Sequence, residues 1–192
     1  GKKAHLVGAD TVSTIPETFF EKVIYSSHQF KTDIYKKIRN QNNIYLCCGR
    51  ARAFAKKLYT ILKWPDLPPE DAFSYLFCIE KGFQFAFAPK AQVFFRLPAT
   101  FKDHFRQRPR FFIGKKQMQQ YFSHEFVRGQ YHIPVVISLK TYLKHLLRSP
   151  FTLSIYTLIV AIVRLASFIK KIQKATWDIA ASSKRIIYEK AQ

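Results

Sequence analysis

The stretch from Trp64 to Phe112 constrains the fold more than any other part of the chain. Pro68 and Pro69 hand over to an acidic pair, Glu70-Asp71, and then to a helical run whose apolar positions are Ala72, Phe73, Leu76, Phe77 and Ile79. Gly82 marks a turn. Phe83-Gln84-Phe85-Ala86-Phe87 then alternates with a period of two, as a strand with one buried face does. Pro89 and Lys90 are expected to turn the chain, and Ala91 to Arg96 forms a second strand-like run before Pro98. Thr100-Phe101-Lys102-Asp103 caps and opens a further helix, which Pro109 is expected to stop or kink. Helix and strand signals in this succession point to an α/β fold.

The N-terminal third reads in the same class. Ala4-His5-Leu6-Val7 is a short buried strand running into Gly8-Ala9-Asp10-Thr11, read as a turn. Pro16 opens a helix to about Ser27, with Phe19, Phe20, Val23 and Ile24 as its apolar face. Lys31 to Asn43 is polar and basic, and is read as a loop. Ile44 to Cys48 reads as a strand, and Gly49-Arg50-Ala51-Arg52 as a turn into a helix reaching about Leu62. Ligands of α/β sheets bind at strand carboxyl ends, which suits Asp10 to a ligand. The alternative is a turn or capping aspartate. Gly49 permits close backbone approach, while Arg50 and Arg52 either touch phosphate or form a solvated basic face.

The charge balance narrows the partner. With 32 Lys and Arg against 12 Asp and Glu, the net charge of +20 implies an anionic partner: nucleic acid, an anionic membrane surface or a sugar-nucleotide pyrophosphate. A content of 19 Phe and 10 Tyr excludes a disordered chain. Cys47, Cys48 and Cys78 form neither a disulfide framework nor a metal knuckle, which fits a reducing compartment. No signal peptide is visible, and the sequence opens without Met inside a strand-like segment, as part of something longer would.

Two clusters carry possible chemistry. Acidic residues in a helix's first turn complement its positive end, which alone accounts for Glu70 and Asp71. A carboxylate there that faces a cleft can also take a proton as general base. In the basic knot Arg106-Gln107-Arg108-Pro109-Arg110-Phe111, Gln107 and Arg110 lie three apart, within reach of one ligand. Arg110 offers a planar fork suited to phosphate oxygens. The competing assignment is a basic cluster on lipid headgroups.

In order and spacing, Glu70-Asp71, the Gly-aromatic strands, Val93-x-x-x-x-Pro98 and Gln107-x-x-Arg110-Phe111 resemble the second half of a family-2 glycosyltransferase domain of the GT-A fold. The resemblance covers roughly residues 4–122. It implies a partial, Rossmann-like GT-A domain over 1–122; beyond it the chain is read as a connecting segment over 123–150 and a membrane-associating helical extension over 151–192. The implied activity is inverting transfer of a sugar from a nucleotide-diphosphate donor to a lipid-linked or saccharide acceptor. Asp71 matches the family's general base, and Glu70 would orient or support it. Gln107, Arg110 and Arg106 would lie beside the pyrophosphate and the acceptor end, and Gly49 and Arg50 in the segment that approaches the acceptor. Asp10 matches the second carboxylate of the strand-end DxD element and would hold Mg²⁺ or Mn²⁺ with help from phosphates. Gly8 stands where the first carboxylate is usual. Phe111 replaces the usual Trp, which keeps an apolar platform, removes the indole donor and argues against a polymer synthase. The family's opening strand, with its Pro-x-x-Asn-Glu-like segment, is not in this sequence.

Phe151 to Ile169 is uncharged up to Arg164. As a helix it would extend about 28 Å, against a hydrocarbon core of about 30 Å. Basic flanks on both sides give no orientation. We read it as an in-plane or shallow helix at the cytoplasmic leaflet, with a spanning helix and a buried helix as alternatives. His124, His132 and His145 lack metal-ligand spacing and are read as surface residues. The functional alternatives from other classes are a basic nucleic-acid-binding module and a noncatalytic membrane adaptor on the same fold.

Overall fold

The computed structural model describes residues 4–65 and 70–169, with all their side chains except those at 106–113 and 163–169. Pro68, Pro69 and the amphipathic run Trp177 to Tyr188 lie outside the described residues. The order is β1 (Leu6–Ser13), α1 (Phe19–Lys37), β2 (Arg52–Phe54), α2 (Lys56–Tyr59), α3 (Glu70–Glu80), β3 (Phe85–Phe95), α4 (Phe101–Met118), α5 (His124–Gln130), α6 (Val135–Arg148) and α7 (Pro150–Ile169). The architecture is mixed α/β, as expected, with a three-stranded sheet ordered β2-β1-β3.

β1 is central, and this corrects the reading of Gly8 to Thr11 as a turn. It pairs antiparallel with β2, Leu6 opposite Phe54 and Gly8 opposite Arg52. On its other side, His5 N–H donates to Gln84 O at 2.8 Å and Thr14 N–H to Phe95 O at 2.9 Å, so β3 runs parallel to it. Partners on both sides hold the segment extended. β3 is a single strand through Pro89 and Lys90, where two runs with a turn were expected. It is an edge strand, where a missing proline N–H leaves no ladder bond unmade.

The chain forms two compact units. One comprises Gly1–Val12, Tyr35–Val93 and Ile113–Pro134; the other comprises Ser13–Ile34, Phe94–Phe112 and Val135–Gln192. The core of the first gathers Leu6, Leu46, Leu58, Phe73, Leu76, Phe85, Met118 and Val127. α3 has the expected apolar face, and Gly82 closes it at φ +71°, a conformation glycine adopts without strain. Ile44–Leu46 is a 3-10 turn and not a strand, because Asn43 donates its amide to Tyr35 O at 2.8 Å and Ile38 O at 3.3 Å. The helix expected after the Gly49–Arg52 turn, reaching about Leu62, is replaced by β2 and the one-turn α2, since pairing with β1 claims Arg52–Phe54.

The second unit packs Val23, Ile24, Leu97, Leu153, Tyr156 and Ile159 together. α1 extends to Lys37 and so takes in half of the expected polar loop, with Ile34 buried. Thr18-Phe19-Phe20-Glu21 forms a capping box that was legible in the sequence and not read there: Glu21 N–H donates to Thr18 Oγ1 at 3.1 Å and Thr18 N–H to Glu21 Oε2 at 2.8 Å. The other Glu21 oxygen accepts Arg96 Nε at 2.9 Å. α4 continues through Pro109 to Met118, where a stop or kink was expected. Proline removes one intrahelical bond, and the rest of an 18-residue helix remains. Thr100 caps α4 as expected, accepting Asp103 N–H at 3.2 Å. His145, expected at the surface, pairs with Asp33 at 2.8 Å. Among the described residues no helix is long and apolar enough to cross a membrane, and α7 buries one face of its own unit's core.

Glu21 gives this fold a pH signature. Its burial alone would raise the carboxyl, but the Thr18 and Glu17 N–H groups and Arg96 outweigh it and hold the group below its ordinary 4.5. A carboxyl depressed in the folded state stabilises above its unfolded value, and that stability is lost as pH falls through the folded one. Urea unfolding across the acid range should show stability falling from about pH 4.5 downward, in part through this group. Glu21→Gln should cost roughly 3 kcal/mol at neutral pH and flatten that acid slope.

Candidate active site

Asp71 is the second residue of α3 and is half-buried. One carboxylate oxygen accepts the N–H of Gly49 at 3.2 Å, and the other accepts the N–H of Ala72 at 2.8 Å. A Cβ at Gly49 would come within 3.5 Å of that carboxylate. Glu70 exposes its side chain and offers its backbone oxygen to Arg52 Nη1 at 3.1 Å.

Arg52 is a clamp. The same Nη1 donates to Ser74 Oγ at 2.7 Å, Ser74 Oγ donates to Asp71 O at 2.9 Å, and the guanidinium lies 5.6 Å over Phe54 and 5.8 Å over Trp64. It fixes the start of α3 and is committed to that role. Arg50 is exposed beside Gly49, with Nη1 3.2 Å from Cys48 Sγ. Cys47 Sγ lies 3.7 Å from Asp71 O, and burial pushes its thiol up to about 12 while the Arg52 charge pulls the other way. A thiol so placed stays protonated and is no nucleophile.

An aromatic wall stands in the same unit. Tyr35 stacks on Tyr45 at 4.4 Å, and Tyr45 meets Tyr131 edge-on at 6.0 Å and donates to Tyr131 O at 2.8 Å. The Tyr131 phenol is pushed up by burial and, next, by the negative charge of Asp71. Tyr131 and the Arg52-Ser74 clamp were missed in the sequence. Ser74 falls one turn after Asp71, a usable signal, whereas nothing local links Tyr131 to a residue so far upstream.

The strand-end element is altered in a way the structure explains. A Cβ at Gly8 would overlap the Leu46 carbonyl oxygen, so no aspartate fits there. Asp10 is 7% exposed and pairs with Lys36 Nζ at 2.7 Å. Ala9 N–H donates to Ala51 O at 3.2 Å, so the segment from Gly49 to Ala51 links the strand beside Asp10 to the Asp71 carboxylate. Among the described residues no group of three or more His, Cys, Asp or Glu could hold a metal ion. One carboxylate already engaged by an ammonium does not fit a resident Mg²⁺ or Mn²⁺. Arg106, Gln107 and Arg110 fall on the helical backbone of α4, and their side chains lie outside the described residues.

The site therefore presents a carboxylate aimed by two N–H donors, with an exposed glycine at its side. The model of one protein family, described as glycosyl transferase family group 2, matches residues 10–178. That span begins at Asp10, contains every residue of the cluster around Asp71, and runs well past the motifs. No curated protein and no solved structure matches the chain.

The crossing at Gly8 can be tested directly. Gly8→Ala should destabilise the fold by about 1–3 kcal/mol, as overpacking against backbone does, with a lowered midpoint in urea. Gly49→Ala, whose Cβ meets only ordinary contacts, should cost less.

Proposed function

We propose that this chain, which belongs to glycosyltransferase family group 2, carries the base that lets an acceptor hydroxyl attack the donor sugar in an inverting transfer. The observation that carries the reading is the Asp71 carboxylate, held by Gly49 and Ala72 at the start of α3. The donor is a nucleotide-diphosphate sugar, and the acceptor a saccharide or lipid-linked hydroxyl. The acceptor oxygen forms a bond to the anomeric carbon as the bond from that carbon to the phosphate oxygen breaks. The electron pair leaves with the nucleoside diphosphate, and the hydroxyl proton passes to Asp71. Two N–H donors fix the direction of the carboxylate and leave lone pairs for that proton.

Arg52 and Ser74 position Asp71 from behind, and Gly49 leaves room for the acceptor at its side. Glu70 supports the helix start. Arg106, Gln107 and Arg110 are assigned to the pyrophosphate and the acceptor end through the family motif. Mg²⁺ or Mn²⁺ belongs in this reading to the incoming donor, whose phosphates would hold it; Asp10 would join it only by releasing Lys36. The fold is read as GT-A-like, at the cytoplasmic face of a membrane. Membership of the family favours this reading over a nucleic-acid-binding module, because sugar-nucleotide phosphates also account for a basic chain.

Asp71→Asn keeps the shape and much of the hydrogen bonding but cannot accept the proton. In the full-length protein, transfer should fall by ~10²–10⁴ while donor binding changes little. Glu70→Gln should lose less. Near-normal turnover in Asp71→Asn would reduce the acidic pair to helix-start electrostatics.

A further inference from the structure

α6 exposes an apolar row that the described residues of its own unit leave uncovered. Val135, Leu139, Leu143 and Leu147 recur every four residues, so they align on one face, and Val136 stands beside them. All five are exposed, Val136 at 77% and Leu147 at 87%. The opposite side of the helix is anchored, with Thr141 buried and His145 paired with Asp33, and at the margin of the row Tyr142 packs edge-on against Phe30 at 5.5 Å. The row is therefore exposed on a firmly seated helix. An open groove lined by Phe30, Val135, Ser138, Leu139 and Tyr142 borders it.

Along the edge of that row runs a second one of a different kind. Lys140, Lys144 and Arg148 also recur every four residues and are exposed. α7 adds an exposed apolar stripe of Phe151, Ile155, Leu158 and Ile162. From Val135 to Ile169 there is no Asp or Glu. Large exposed apolar surfaces mark interaction sites, and an apolar face edged by cations is the pattern of a helix lying in a bilayer interface.

We propose that the apolar face of α6, edged by Lys140, Lys144 and Arg148, docks the protein in the plane of an anionic lipid bilayer. This deepens the membrane-associated reading by naming the surface, and it is independent of the role of Asp71. It moves the main contact from 151–192 into what the sequence presented as a connecting segment. Charge selects the occupant. A second copy carries +20, and residues 170–192 hold six basic residues against two acidic ones, so both are repelled by the basic row. Anionic headgroups are attracted to it.

Flotation of the full chain with phosphatidylcholine vesicles, with and without phosphatidylglycerol, tests the surface. The wild type should bind the anionic vesicles and prefer them by about 10²-fold, with the preference lost in high salt. Leu139→Glu with Leu143→Glu, both at exposed positions, should lower binding at least about tenfold with unchanged circular dichroism. Lys140→Gln, Lys144→Gln and Arg148→Gln together should erase the anionic preference, which provides a second reading should the glutamates disturb folding. Failure of the wild type to bind any vesicle would overturn the membrane reading itself. Wild-type binding that both sets of variants leave unchanged would overturn this surface alone. Self-association through Leu139 without vesicle binding would assign the face to a second copy.

Discussion

The crossing of the Leu46 carbonyl over Gly8 is the constraint on which the site depends. Because Gly8 has no Cβ, the turn Ile44–Leu46 can lie directly on the central strand. That close approach sends Cys47 beneath α3 and brings the Gly49 N–H to the Asp71 carboxylate. The same chain segment then returns along β1 as β2. A larger residue at position 8 would lift the turn and carry Gly49 with it. The glycine that breaks the family's paired-carboxylate pattern is thus the residue that lets this strand carry the loop beside Asp71.

The sequence was most informative where the determinants are local. The helix of Glu70 to Glu80, the Gly82 turn, the Thr100 cap and the placing of Asp71 at a helix start all follow from residues within one or two turns of each other. It misled where distant partners decide. The strand read at Ile44 to Cys48 and the helix read after Gly49 were overridden by Asn43 binding α1 and by the pairing of Arg52–Phe54 with β1. Pro89 was read as a break because proline is excluded from central strands, and whether a strand lies at an edge is a property of the finished sheet. The partner of Asp10, Lys36, lies 26 residues away on α1, out of reach of any local signal.

For the site, the motif order located Asp71 and its helix, and geometry supplied the surroundings. The clamp of Arg52 on Glu70 and Ser74 turns a residue read as a phosphate ligand or a solvated charge into a support for the helix start. A basic chain can thus commit a central arginine to structure while its exposed basic rows, such as the one on α6, remain for an anionic partner. The geometry around Asp71 is what supports the base proposed for it, and that chemistry depends on the carboxylate being charged when the acceptor arrives.

The pH dependence of kcat/KM tests that claim most directly. In the full-length protein the account predicts an acid limb of unit slope from a single base, and its loss in Asp71→Asn, whose residual rate should be flat over the same range. The same acid limb persisting in Asp71→Asn at a near wild-type rate would contradict it and assign the base to another residue.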